Sequence, residues 1–205
     1  MLICLTRMPC WRASPVREVE VKGVVPDEAD ARARAETAGA ALLYAGRMED
    51  RRYDTVDGRL ASGDQILRLR TYHDAGGQRA TLDWKGPASV ERGYKIREEF
   101  SSTAGDPDGL AAILHRLGYV VTREIDRQIA QYRLAGAVLR FERYPRMDVL
   151  LEVEGAPDAI ERAIAAAGLR RRDFNSDRLL DFVERFEART GKRAALADSE
   201  LGDDA

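Results

Sequence analysis

Glu18-Val19-Glu20-Val21-Lys22 decides how this chain is read. A β-strand points alternate side chains to opposite faces, so Glu18, Glu20 and Lys22 share one face and Val19 and Val21 the other. Far along the chain, Glu152-Val153-Glu154 repeats the grammar, and Asp148 shares its parity. Between them lie Leu67-Arg68-Leu69-Arg70, Asp83-Trp84-Lys85, Lys95-Ile96-Arg97-Glu98-Glu99 and Leu139-Arg140-Phe141-Glu142. Taken singly, such a strand is most often a sheet with its charged face in water. Recurring strand after strand, the pattern predicts a closed sheet with a charged interior. Antiparallel barrels remove open edges by closing, and their lumen can hold polar side chains around a ligand or water.

The bulk numbers agree with that picture. A chain of 205 residues suits one domain with tails, and 44% hydrophobic content supplies a core. Charged residues reach 33%, above the roughly 25% of ordinary soluble domains. The net charge is only −2, so no global attraction to nucleic acid or membrane is expected. Charge that is abundant, balanced and patterned suits a site holding both cations and anions. Cys4 and Cys10 make no disulfide framework and, without a nearby histidine, a poor metal site. They point to a reducing, cytoplasmic setting. There is no signal-peptide pattern and no run of 18 apolar residues. Residues 1–15 read as a poorly ordered extension, with Met8 an equally good start.

Arg17–Val25 reads as the first strand, followed by a helix over Asp27–Ala38 and a stop at Gly39. Ala41–Ala45, Arg51–Val56, Ile66–Tyr72, Arg79–Lys85 and Tyr94–Phe100 read as further strands, with Asp74-Ala75-Gly76-Gly77 as a hairpin turn. Asp106–Leu117 is a second helix, Tyr119–Leu134 a long extended stretch, and Val138–Arg143 and Asp148–Glu154 complete a meander. Helices follow at Pro157–Ala167 and Asp177–Arg189, the latter with an apolar stripe through Leu179, Phe182, Val183 and Phe186. The fold class is α+β: an eight-stranded antiparallel closed β-barrel with helices packed outside. The domain spans 16–193, and 194–205 reads as a disordered acidic tail.

In a closed barrel the inward basic set is Lys22, Arg52, Arg68, Arg70, Lys85, Arg97, Arg127 and Arg140. The acidic set is Glu18, Glu20, Glu99, Glu142, Glu152 and Glu154. Arginine supplies planar bidentate donors and lysine a compact charge, so the basic set matches a ligand with several phosphates. Carboxylates would repel such a ligand unless they hold divalent cations, as magnesium is held by a few carboxylates, waters and phosphate oxygens. Together the two sets predict a metal–polyphosphate site.

These residues also resemble a known family. Glu18-Val-Glu-Val-Lys22 is similar to the Glu-x-Glu-x-Lys signature of the CYTH superfamily, the triphosphate tunnel metalloenzymes. Arg52-Tyr53-Asp54-Thr55, Leu67-Arg68-Leu69-Arg70, Leu82-Asp83-Trp84-Lys85-Gly86-Pro87, Arg97-Glu98-Glu99 and Glu152-Val153-Glu154 resemble further family segments in order. The resemblance covers about Val16 to Leu180. It implies an eight-stranded tunnel that binds triphosphates with Mg²⁺ or Mn²⁺. It implies Lys22, Arg52 and Lys85 as catalytic residues, the basic set as the phosphate clamp and the acidic set as metal ligands. Two departures stand out: Ile129 occupies a position where the family carries arginine, and Glu142 stands for an aspartate.

The activity the resemblance implies first is class IV adenylate cyclase chemistry, which converts ATP to cyclic AMP and pyrophosphate; the alternative is hydrolysis of inorganic tripolyphosphate, thiamine triphosphate or a nucleoside triphosphate. Phe174-Asn175-Ser176-Asp177-Arg178-Leu179-Leu180 looks most like the cyclase-type branch. A non-enzymatic polyphosphate-binding module is the rival reading, and a homodimer is left open. Trp84 and Tyr132 are the candidates for stacking on an adenine, with wall packing the plainer role for Trp84. His73 and His115 read as structural or exposed.

Overall fold

A computed structural model describes residues 15–204; the proposed N-terminal extension falls, apart from Pro15, outside the described residues. In chain order the elements are β1 (Val16–Val24), α1 (Glu28–Thr37), β2 (Ala41–Thr55), α2 (Arg59–Ser62), β3 (Ile66–Asp74), β4 (Gly77–Lys85), β5 (Ser89–Glu91), β6 (Tyr94–Ala104), α3 (Pro107–Arg116), β7 (Tyr119–Leu134), β8 (Ala137–Arg143), β9 (Leu150–Glu154), α4 (Pro157–Ala166), β10 (Phe174–Asn175) and α5 (Leu179–Thr190). Short 3₁₀ helices cover Arg171–Asp173 and Asp198–Asp204. Eight strands close into an antiparallel barrel in the order β1-β9-β8-β7-β2-β3-β4-β6, sealed by β6 pairing back onto β1. β5 and β10 only flank it, on β6 and β1.

β1 is the seam. Its first half, from Val16 to Glu20, pairs with β6, and its second half, from Glu20 to Val24, pairs with β9. Glu20 therefore lies opposite both Lys95 and Glu154. The alternation that sends Glu18, Glu20 and Lys22 into the lumen sends Val19 and Val21 outward. Val21, Leu139, Phe141 and Val153 form an outer apolar face, covered by Ala31 and Ala35 of α1 and by Ile160 and Ile164 of α4. A fully buried side chain such as Ile160 contributes roughly 1.5–3 kcal/mol. Asp27 and Asp106 cap α1 and α3 by accepting from Asp30 and Gly109 backbone N–H groups. α5 lays Phe182 against Ile125, Tyr144 and Leu150 at one end of the barrel.

Three expectations are corrected. The separate strands Ala41–Ala45 and Arg51–Val56 are one 15-residue strand, β2, because Gly46 continues the ladder instead of ending it. A Cβ on Gly46 would lie 2.3 Å from the His73 carbonyl and 2.7 Å from the Tyr44 hydroxyl, so glycine is there for close approach. The helical turn α2 was not foreseen; Asp54 holds it by accepting from the Leu60 and Ala61 amides at 2.8 and 2.9 Å. The segment expected as a disordered tail is packed. Ala194, Ala195, Leu196 and Ala197 are buried, Arg146 and Ala195 exchange backbone hydrogen bonds, and Asp126 donates its amide to the Leu196 carbonyl at 2.7 Å. Its small apolar residues fit a groove that its acidic composition concealed.

Candidate active site

Strand parity carries the charged residues into the lumen, and low exposure confirms where they lie. Glu18, Glu20, Arg68, Arg70, Lys85, Arg97, Arg127, Arg140, Glu142 and Glu152 are all buried, while Lys22, Arg52, Glu99 and Glu154 are partly buried. The fourteen residues singled out from the sequence therefore meet in one interior.

The network divides into two sides. On one, Asp50 takes both Nε and Nη2 of Arg70, at 2.7 and 2.9 Å, and Nη2 of Arg127 at 3.0 Å. Burial alone would raise the Asp50 carboxyl, but Arg70, Arg127 and Arg68 hold it well below the usual carboxylate range. Glu142 accepts from Lys22, Arg127, Arg140 and Tyr144. Against the same cost of burial, Lys22, Arg127 and Arg140 keep it well below its ordinary value. Arg68 binds Asp83 at 2.6 Å, and Asp83 also accepts from Ser101.

On the other side the lysines face glutamates. Lys85 reaches Glu18 at 2.6 Å and Glu99 at 3.1 Å, Lys95 reaches Glu20 at 2.6 Å, and Lys22 reaches Glu152 at 2.8 Å. Arg140 also donates to Glu152. Oxygens of Glu18, Glu20 and Glu152 lie within 4.8 Å of one another. An octahedral Mg²⁺ or Mn²⁺, with oxygens at ~2.0–2.2 Å, spaces its ligands by roughly 3–4 Å. The three carboxylates therefore fit such an ion after small side-chain adjustments. Glu154 stands beside them with its carboxyl raised, by burial first and then by Glu18. Crowded carboxylates of this kind are relieved by a cation. Of the six predicted metal ligands, Glu99 and Glu142 lie apart from this trio and are tied to basic groups.

Arg52 stands out among the described lumen residues. Arg52 makes no ion pair among the described residues, and its Nε lacks a hydrogen-bond partner. Burial drives the Arg52 guanidinium down to about 10; Asp50 pulls the other way, and Arg68, Arg123 and Arg127 add repulsion. Arg52 lines a cavity of about 540 Å³ at the α5 end of the barrel, with Lys95, Arg97, Arg123 and Arg178 around it and Val56, Val120 and Leu180 as apolar wall.

Sequence reasoning missed Asp50, which shares parity with Arg52; the run Glu49-Asp50-Arg51-Arg52 hides the alternation. It also left Lys95 and Asp83 out of the site, although both had been placed on charged faces. The two candidates for an adenine contact lie on the outer wall. Trp84 packs on Phe100 and donates to Gln65. Tyr132 is buried between Arg32, Glu36 and Phe141.

A closed antiparallel tunnel with basic and acidic groups interleaved on its inner wall is a receptacle for a polyanion accompanied by cations. The CYTH domain profile matches residues 16–178, and the chain belongs to that family. The family is metal-dependent and binds triphosphates in its tunnel. Solved structures share the fold. A candidate adenylate cyclase from Vibrio parahaemolyticus superposes with a TM-score of 0.69 at 17% identity, over 82% of this chain and 97% of that one. A protein from Pyrococcus horikoshii superposes with a TM-score of 0.69 at 20% identity, over 82% and 98%. A candidate adenylyl cyclase from Hippeastrum, described as having a dominant triphosphatase activity, gives 0.59 at 18% identity, over 87% and 98%. No curated protein sequence matches the chain.

Proposed function

We propose that this protein is a divalent-cation-dependent phosphohydrolase that removes the terminal phosphate of a small triphosphate bound in its tunnel. The observation that carries this reading is the pairing of unspent cation at Arg52 with a crowded carboxylate trio across one lumen. A triphosphate and a cation entering together exchange partners with the resident network. The phosphates take Lys22, Arg52, Arg68, Arg70, Lys85, Arg127 and Arg140. Glu18, Glu20 and Glu152 would hold the cation, which when bound neutralises charge on the transferring phosphoryl group.

The residues do little covalent chemistry. Asp50 orients Arg70 and Arg127 before the ligand arrives, and Lys22 and Lys85 add point charges near the carboxylates. Positioning and electrostatic stabilisation then supply most of the rate, with water attacking the terminal phosphorus in line. Arg97 donates its Nη1 and Nη2 to the Gly86 carbonyl and Asp64, which ties it to the mouth, while its buried Nε is left without a partner.

Adenylate cyclase-type cyclisation is the second reading. The cavity beside Arg52 favours it, because about 540 Å³ is room for a nucleoside. Incubation with ATP, inorganic tripolyphosphate and thiamine triphosphate, with Mg²⁺ or Mn²⁺, separates the readings by product. Orthophosphate supports hydrolysis; cyclic AMP with pyrophosphate supports cyclisation. Tight binding without turnover would leave a polyphosphate-binding module. The cysteine usage supports a cytoplasmic setting.

A further inference from the structure

β7 and β8 part where the barrel meets α5. Their ladder ends at the pair Gln128 and Arg143, so the Asp126 N–H, further along β7, has no partner on β8. The residues that fill the gap lie beyond the segment matched by the family profile, 16–178. Leu196 accepts from the Asp126 N–H at 2.7 Å, and Ala195 exchanges backbone hydrogen bonds with Arg146 at 2.9 and 3.1 Å. Tyr144 stands at this junction. It follows β8 at the same parity as Arg140 and Glu142, is buried, and shares one apolar cluster with Ile125, Leu150, Phe182 and Leu196. On the lumen side its hydroxyl donates to Glu142 Oε2 at 2.8 Å, the oxygen that also accepts from Lys22 at 3.1 Å. Glu142 Oε1 accepts from Nε of Arg127 and Nε of Arg140, each at 3.2 Å. Glu142 and Asp50 thus pin Nε and Nη2 of Arg127, while its buried Nη1 has no partner. Lys22 is divided between Glu142 and Glu152, the latter at 2.8 Å.

We infer that Tyr144 is a positioning residue for the phosphate clamp, aimed by the C-terminal segment: its hydroxyl keeps Glu142 satisfied when Lys22 turns to a phosphate. This rests on the triphosphate reading above and adds to it a residue that touches no substrate. A phosphate that takes Lys22 draws it away from Glu142. A buried carboxylate oxygen stripped of its donors carries the desolvation cost of an unpaired charge. Among the described residues, Lys22 and Tyr144 are the side chains that donate to Oε2. With Tyr144 in place, that oxygen keeps a hydrogen bond after Lys22 departs. Without the hydroxyl, Lys22 is its last donor and leaves at greater cost. The same contact fixes where Glu142 stands, and Glu142 with Asp50 decides where Nη1 of Arg127 points. Leu196 and Phe182 hold the Tyr144 ring, so residues beyond the family profile act on the clamp without entering the lumen. Lys22 moves once, when the ligand binds, and the cost is common to the bound ground state and the transition state. The effect therefore falls on KM and not on kcat.

The test is a double-mutant cycle. Binding of inorganic tripolyphosphate with Mg²⁺ is measured by calorimetry, and KM and kcat by orthophosphate release, on the full chain, Tyr144→Phe, Leu196→Ala and the double variant, each checked for a cooperative melt. Tyr144→Phe keeps the ring in its cluster. It is expected to weaken binding and raise KM by roughly threefold to tenfold, the range that one net hydrogen bond covers, with kcat within about twofold of the parent. Leu196→Ala should weaken binding by about twofold or more while Tyr144 is present, and add nothing on top of Tyr144→Phe. A Tyr144→Phe protein that binds like the parent, that loses kcat alone, or that no longer melts cooperatively would overturn the positioning role. A Leu196→Ala effect that simply adds to that of Tyr144→Phe would overturn the part given to the C-terminal segment. If the unaltered protein neither binds nor hydrolyses tripolyphosphate, the triphosphate reading itself fails, and the inference with it.

Discussion

Arg52 and Arg70 are both lumen arginines, yet they stand in opposite energetic positions. Arg70 is matched by a bidentate contact to Asp50, so the folded state already uses its charge. Arg52 has no such contact, and the cost of its burial outweighs the pull of Asp50. A charge-assisted hydrogen bond is worth roughly 1.5–3 kcal/mol, or about tenfold in affinity at the low end. Arg52→Ala is therefore expected to weaken tripolyphosphate binding about tenfold or more without lowering the melting temperature. Arg70→Ala should weaken binding and also destabilise the fold, because Asp50 loses its main partner; calorimetry and thermal melts distinguish the two. Glu154 gives a pH signature. Its carboxyl is raised in the folded state, so the folded protein keeps a proton that the unfolded chain has already released. Ionisation costs stability as the pH climbs past the ordinary glutamate value. A cation near Glu154 favours that ionisation and must expel the proton. Apparent Mn²⁺ affinity should then rise as the pH climbs above the ordinary glutamate value, and Glu154→Gln should flatten the rise. An identical profile in the variant would mean that Glu154 takes no part in holding the cation. At this scale the sequence was legible wherever charge alternated cleanly with aliphatic residues. Asp50 was not, because its neighbours on both faces are charged, and only pairing with β3 and β7 fixes which way it points.

The elements tell a similar story with different limits. Period-two patterning located the barrel strands with an aliphatic outer face, such as β1, β3, β8 and β9, whereas the outer face of β2 carries Arg47, Glu49 and Arg51. It could not join the two halves of β2, because a glycine reads as a break until the Tyr44 ring is found lying across it. Nor could it foresee that Ala194–Ala197 would be buried, since four small residues before an acidic stretch show no period at all. Their docking is nevertheless substantial. Leu196 packs with Phe182, Tyr144 and Ile125, its amide donates to Glu200 at 2.5 Å, and Asp198 is bound by Arg47. The segment clamps the middle of β7, beside Arg127. Truncation after Arg193 removes one fully packed leucine and several hydrogen bonds, about 2–4 kcal/mol in all. For a chain of this size that corresponds to a fall in melting temperature of roughly 5 °C or more. Leu196→Asp should reproduce most of it. A truncated protein that melts with the full chain would return these residues to the status of a loose tail.

For the whole molecule, the charged interior makes stability and function draw on the same groups. The barrel encloses more ionisable side chains than aliphatic ones along most of its inner wall, and it tolerates them because almost every charge has an opposite neighbour. Buried pairs of this kind contribute little net stability when intact, but breaking one costs about 3–5 kcal/mol by stranding the partner. Asp50 and Glu142 are the strongest instances, each facing three basic groups. Both are held well below the ordinary carboxylate range, so the folded state binds fewer protons than the unfolded chain. Their contribution is therefore complete at neutral pH and persists down to the unfolded carboxylate values near about pH 4. It is lost progressively as the pH falls further toward the depressed folded values. The protein should accordingly show a melting temperature that changes little from about pH 7 to about pH 5 and drops steeply below about pH 4. Asp50→Asn should be destabilised by about 3–5 kcal/mol at neutral pH and show a shallower acid limb, because one of the two titrations is gone. Tripolyphosphate, supplying negative charge to the same arginines, should recover part of the lost melting temperature at neutral pH. The acid limb and the anion rescue report on one interior from two directions. A variant as stable as the parent, with an unchanged acid limb, would mean that Asp50 does not bear the charge balance of the barrel.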